Sequence, residues 1–168
     1  MNEELEMRLQ KDFPFMKRNI SEDERNIYRR FGCECAGGWY QLINDLCQAI
    51  TDIYAEAEVS VDIVIVQIKE KFGSLRFYYS FEDSPNQLHA LDFLGSTSLR
   101  IYPNNDKTKK KLRHDIAEIV RSCEEKSSTI CESCGYEGVI RMDMRWKQTL
   151  CDDCYYKYQK KLEERQKK

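Results

Sequence analysis

Two Cys-x-x-Cys pairs, Cys131-Glu-Ser-Cys134 and Cys151-Asp-Asp-Cys154, stand sixteen residues apart in the C-terminal third of the chain. Four thiolates at this spacing are the donor set of a tetrahedral zinc site. Four protein ligands close the coordination sphere, so the ion's expected role is structural and no position remains for an activated water. Iron–sulfur chemistry also uses four thiolates, but the paired spacing favours zinc. A dithiol redox centre would want a βαβ setting, which this segment lacks. A disulfide framework would need an export signal and a denser cysteine content than eight in 168 residues.

Other residue types with chemical potential are less organised. Cys33 and Cys35 flank Glu34, and Cys47 lies one helix later. A second metal or redox site would need a fourth ligand that is not evident, so these three read as small buried hydrophobes. His89 and His114 are isolated, and His114 falls in a basic, solvated helix. Glu34, Glu70 and Arg76 have the right types for acid–base work, and nothing beyond type supports an enzyme.

Basic and aromatic residues interleave from Arg141 to Lys147 around Trp146, and from Tyr155 to Lys161, which includes Lys160 and Lys161. With Lys109, Lys110, Lys111 and Arg113 they are the candidate contacts to nucleic acid or to a protein partner. Charge restrains the first option. Residues 127–168 hold nine Lys/Arg and seven Asp/Glu, a balance of +2 that a zinc–tetrathiolate centre of charge −2 cancels. The formal charge of the whole chain is −2, so the zinc-loaded protein carries about −4. Such a balance exerts no global pull on nucleic acid or anionic membrane. The Lys107–Arg113 run reads as a solvated helix face.

These side chains need elements to hold them. At 41% hydrophobic and 33% charged, the chain is globular. A short helix is predicted from Asn2 to about Lys17, limited by Pro14, with a polar, partly helical stretch from Asn19 to Arg30. The glycine-rich entry Phe31-Gly-Cys-Glu-Cys-Ala-Gly-Gly-Trp39 leads into the clearest amphipathic helix, residues 39–56. A hairpin is predicted over 61–81, turning at Lys71-Phe-Gly-Ser74, with Leu75, Phe77 and Tyr79 on one face. Residues 82–106 read as a long loop with a third strand near Ser98–Tyr102. Asn105 or Asp106 would cap a second amphipathic helix, about Lys107–Glu124, and Ser127-Ser-Thr129 would be a hinge.

After that hinge, a knuckle ending in Gly135, a hairpin over 139–150 and a helix over 152–166 describe a treble clef. If the tail helix stays detached, a zinc ribbon is the alternative. The expected fold is therefore α+β: a helix-covered antiparallel β-sheet in residues 1–126, and a treble-clef-like or zinc-ribbon module in residues 127–168. The acidic start has no apolar leader, and the run Ile63-Val-Ile-Val66 is too short to span a bilayer, so a reducing cytoplasm is expected.

The stretches Phe31-Gly-x-Glu-Cys-x-x-Gly-Trp39, Leu46-Cys-x-x-Ile50, Gln67-Ile-Lys-Glu-Lys-Phe-Gly-x-Leu-Arg-Phe-Tyr-Tyr79, Cys131-Glu-x-Cys-Gly135 and Thr149-Leu-Cys-x-x-Cys154 carry a resemblance. Together they resemble a group of small, mostly uncharacterised proteins encoded by phages, prophages and bacteria. The likeness covers most of residues 31–81 and 127–154, and residues 82–106 look like an added segment. It implies an intracellular location, the zinc module, and a role in conflict as an inhibitor of host defence or an immunity protein. It implies no activity. The expected function is a zinc-stabilised protein-interaction module, with a nucleic-acid-binding regulator as the alternative.

Overall fold

The computed structural model describes residues 1–19, 26–83, 91–93, 97–99 and 107–166. Helix α1 (Glu3–Asp12) starts where the Asn2 side chain accepts the Leu5 N–H, and it stops short of Pro14, which opens a single 3-10 turn. Helix α2 (Ile27–Phe31) follows within the polar stretch. Strand β1 (Cys33–Glu34) and a 3-10 turn at Gly37–Trp39 then feed helix α3 (Tyr40–Glu56). Trp39 therefore sits just before the helix, fully buried.

Strands β2 (Ile63–Lys71) and β3 (Ser74–Phe81) form the predicted antiparallel hairpin. A register shift between Ile65 and Gln67 explains how a continuous apolar run builds one core face. Ile63 and Ile65 point inward, the irregularity adds a residue, and Ile68 points inward again. The glycine-rich entry adds a strand that the periodicity did not reveal: β1 lies parallel to β2, pairing Cys33 with Ile68 and Glu34 with Lys69. The sheet order is β1-β2-β3.

Strands β4 (Leu91–Phe93) and β5 (Thr97–Leu99) make a separate hairpin inside the expected loop. The third strand thus pairs with β4 and not with the main sheet. His89, residues 100–102 and the cap at Asn105 or Asp106 lie outside the described residues.

Helix α4 (Lys107–Ser127) packs on both β3 and α3. Its end closes the open edge of the sheet. The Ser127 hydroxyl accepts the Leu75 N–H at 2.8 Å, and the Glu124 carboxylate accepts the Phe77 N–H at 2.9 Å. Edge donors that would otherwise template pairing with another chain are satisfied from within. The segment expected as a hinge is therefore a fastened helix terminus. Ser127 is fully buried, and the Ser128 and Thr129 hydroxyls donate to the carbonyls of Glu125 and Lys126 in the last turn.

One apolar core unites Leu9, Met16, Trp39, Ile43, Ile50, Ile68, Phe77, Tyr79, Ile116 and Val120. The α3 stripe Leu42, Ile43, Leu46, Cys47, Ile50 and Tyr54 is buried within it. Arg113 belongs here too, which corrects its place among the solvated basic residues. It is 2% exposed, its guanidinium lies 4.4 Å from the centre of the Phe81 ring, and it pairs with Asp83 and, at 3.9 Å, with Asp62. The Tyr54 hydroxyl also donates to Asp62. Spacing placed Arg113 in a run of lysines, but its position beside Leu112 and Ile116 turns it inward, where only guanidinium geometry matches two carboxylates and a ring.

Leu46→Asp should prevent folding, because the side chain is 4% exposed in the middle of the α3 stripe and a carboxylate would find no partner. The expected loss exceeds about 4 kcal/mol. Circular dichroism and thermal melting of the variant check this, and a soluble protein melting near wild type would show that the stripe is not core.

Candidate metal centre

The cysteine segment begins with a knuckle. The Gly135 N–H returns to the Cys131 carbonyl at 2.8 Å, and the Cys131 N–H donates to the Tyr136 carbonyl at 2.7 Å. Gly135 has φ +83°, so the glycine at the end of the first pair supplies the left-handed residue that the turn needs. Strands β6 (Val139–Arg141) and β7 (Gln148–Leu150) form the expected hairpin, which delivers Cys151 to the start of helix α5 (Asp152–Gln166). The Cys154 N–H in the first turn of α5 points at the Cys151 sulfur from 3.5 Å. Asp152 and Asp153 occupy the positive end of that helix.

The sulfurs of Cys131, Cys134, Cys151 and Cys154 all lie within 4.8 Å of one another, and those of Cys134 and Cys151 are 3.6 Å apart. A tetrahedron with metal–sulfur bonds of about 2.3 Å has edges of about 3.8 Å, so the four thiols are already gathered at coordination spacing. Their acidities are unequal. Burial opposes ionisation of Cys131, but backbone N–H groups of Cys151, Cys134 and Ser133 aimed at its sulfur hold it at about 7. Burial, together with the Cys131, Cys151 and Cys154 sulfurs, pushes Cys134 up to about 12 against the Tyr136 N–H. Four thiols this close cannot all ionise without a cation between them. The donor set, its spacing and its N–H environment fit a metal ion.

A small core surrounds the cluster: Cys131, Met144 and Leu150 are buried, with Tyr155 and Tyr158 packed against them. The module is docked by main-chain contacts. The Gly38 N–H donates to the Glu132 carbonyl at 2.7 Å, the Trp39 indole N–H to the Ile130 carbonyl at 2.8 Å, and the Ala36 N–H to the buried Glu132 carboxylate at 2.9 Å. Burial, and then the Glu70 charge, raise the Glu132 carboxyl, while the Ala36 N–H works against them. On the other side, the Thr149 hydroxyl donates to the Gly73 carbonyl in the β2–β3 turn.

The remaining sequence candidates separate. Arg141 is half-buried and committed: it donates to the Leu150 carbonyl and Asp152 and lies over the Tyr155 ring. Trp146 is 58% exposed, and its indole N–H donates to Glu70. Lys110, Lys111, Lys160 and Lys161 are exposed, and Lys109 pairs with Asp83 at 3.3 Å. Glu34 accepts from Gln67, Glu70 accepts from Gly73 and Trp146, and Arg76 donates to Ser74 and the Leu75 carbonyl. Cys33, Cys35 and Cys47 are buried in the main core. Burial raises all three thiols, Cys35 to about 12. They remain protonated and apolar, and the four-cysteine cluster is the metal-ligating group found among the described residues. Sequence reading missed the docking role of Gly38 and the exposure of Phe72. The second was partly legible, because Phe-Gly at a hairpin turn places an aromatic at its tip.

No protein-family model matches this chain, and no curated protein or solved structure matches it.

Cys134→Ser should remove metal-linked folding free energy from residues 127–166, whereas Cys33→Ser should cost about 1–3 kcal/mol for burying a hydroxyl. Metal content and thermal melting of both variants check this, and equal metal loss in the two would assign Cys33 to a metal site. A methyl group on Gly38 would fall 2.3 Å from the Cys131 carbonyl oxygen and 2.5 Å from that of Glu132. Gly38→Ala should therefore loosen the docked module by about 1–3 kcal/mol. Faster hydrogen exchange at the amide of the substituted residue and at the Trp39 indole is the expected readout.

Proposed function

We propose that the protein is a zinc-stabilised interaction module that acts by stoichiometric binding to another protein. The four thiolates, with two ligands from a knuckle and two from a helix start, support zinc in a treble-clef arrangement. The observation that carries the binding role is the surface of the cysteine module. Tyr136, Met142, Trp146 and Tyr156 are each more than half exposed on a segment that the metal would hold rigid. Tyr, Trp and Met are the side chains that protein interfaces favour, and a rigid scaffold lowers the entropy lost on docking.

The engagement of both Glu70 oxygens, by the Gly73 N–H and the Trp146 indole, supports a structural role for that carboxylate. The burial of Arg113 and the engagement of Arg141 weaken the nucleic-acid reading, since both leave the basic surface on which it rested. The resemblance to phage and bacterial proteins supports a role as an inhibitor or immunity protein in phage–bacterium or interbacterial conflict, inside the cell. No helix among the described residues is long and apolar enough to cross a membrane.

Protein purified without chelator should contain one zinc per chain, and elemental analysis finding neither zinc nor iron would refute the metal assignment. Pull-down from the natural host should identify a protein whose activity is titrated to saturation near equimolar ratio. Substoichiometric action with turnover would mean an enzyme. Tight DNA or RNA binding that falls steeply with salt would favour the alternative.

A further inference from the structure

The β2–β3 turn contains an unusual choice of residue. Lys71 pairs with Ser74, so Phe72 and Gly73 are the two central residues of the hairpin loop, and both have positive φ, +54° and +83°. That is the backbone of a type I′ turn, whose first central position favours Asn, Asp or Gly. A phenylalanine there strains against its own Cβ and gains no burial in return, because Phe72 is 54% exposed. Within the chain the ring carries the Lys71 ammonium 5.7 Å from its centre, a weak contact to set against a strained backbone and an exposed aromatic.

A second aromatic is held beside it. One oxygen of Glu70 accepts the Gly73 N–H within the turn, and the other accepts the Trp146 indole N–H from the β6–β7 loop. A single carboxylate thus clamps the Phe72 turn to the Trp146 loop, and Trp146 is 58% exposed. The residues flanking Trp146 are Arg145 and Lys147, both exposed, and among the described residues neither is in an ion pair. Glu70 therefore ties two exposed aromatics together where the cysteine module joins the sheet, with exposed cations on either side of Trp146 in the chain.

We infer that Phe72 and Trp146, clamped by Glu70 and flanked by Arg145 and Lys147, are the docking surface for an acidic protein segment bearing apolar side chains. This rests on the protein-binding reading above and names the surface and the partner chemistry. Charge complementarity selects the occupant: two free cations beside apolar rings match a carboxylate-bearing segment with apolar anchors. A nucleic-acid strand fits less well: the balance of +2 over residues 127–168, cancelled by a zinc–tetrathiolate centre, leaves no basic stripe to track a phosphate backbone.

The test pans a displayed library of random dodecapeptides against the full zinc-loaded chain, then measures the enriched peptides by fluorescence anisotropy. Trp146 emission is a second readout, since the chain has two tryptophans and Trp39 is fully buried. Enriched peptides should carry Asp or Glu beside aromatic or aliphatic residues and should perturb Trp146. Phe72→Asn should weaken them at least about tenfold, as removal of a central aromatic anchor does. It should also melt at or above the wild-type temperature, because Asn suits the turn, so lost binding cannot be ascribed to lost folding. Arg145→Glu with Lys147→Glu should weaken them comparably and reverse the sign of their salt dependence, since repulsion replaces attraction.

If the enriched peptides bind Phe72→Asn and Trp146→Ala as they bind wild type, this surface is refuted while the protein-binding reading stands. If no peptide is enriched and oligothymidylate quenches Trp146, both are refuted in favour of nucleic acid. Failure of both probes also refutes the acidic-segment surface.

Discussion

Between Gly38 and the Cys131–Gly135 turn there is no room for a side chain. The Gly38 N–H reaches the Glu132 carbonyl, and a Cβ on Gly38 would collide with the backbone of Cys131, Glu132 and Gly135. Main chain against main chain cannot be relieved by a rotamer change, so the distance between knuckle and core is set by the absence of a methyl group. The rest of the arrangement follows from that approach. It brings the Trp39 indole to the Ile130 carbonyl and the Ala36 N–H to Glu132. On the far side of the module, the Thr149 hydroxyl meets the β2–β3 turn. The glycine-rich entry is at once a strand beside β2, the lead-in to α3 and the seat of the cysteine module.

The two parts of the chain are stabilised by different physics. The main core closes around the sheet and four helices, and its cysteines are ordinary buried hydrophobes whose thiols burial makes weaker acids. The buried apolar cluster of the cysteine module is Cys131, Met144 and Leu150, too little apolar surface to order roughly forty residues by itself. Docking onto the core is one support from outside, and an ion bound at the four sulfurs would be a second. An ion at the centre would hold the knuckle and the start of α5, and through the knuckle it would keep Gly38 and Trp39 seated. Loss of the metal should therefore be felt in the main core as well as locally.

The charged residues show how little local composition says about role. Arg113 lies in the same basic run as Lys109, Lys110 and Lys111, yet it is the interior cation of α4, stacked on Phe81 and held by Asp62 and Asp83. Glu70 has the residue type of a catalytic carboxylate, and its two oxygens join two loops. Glu124 and Ser127, inconspicuous in sequence, satisfy the open edge of β3. In each case the helical or strand register decides the role, by turning the side chain towards one neighbour rather than another.

Read alone, the chain determined the features that depend on near neighbours. Paired cysteines at chelating spacing identify the candidate ligands, because each Cys-x-x-Cys places two sulfurs together locally. The α3 stripe and the Phe-Gly hairpin are local periodicities with a single sensible fold, and Pro14 stops α1 by its own geometry. Tertiary structure decided what depends on contacts between distant residues. Cys33–Glu34 became a strand only because Ile68 and Lys69 were there to pair with it. Ser127 became an anchor because Leu75 offered an N–H across 52 residues. Arg113 turned inward because Asp62 and Asp83 were waiting, and Gly38 became indispensable because a knuckle nearly a hundred residues later needed its missing Cβ. Periodicity reports which face of an element is apolar. It carries no record of which distant backbone atom will lie against that face, and that is settled only when the elements pack.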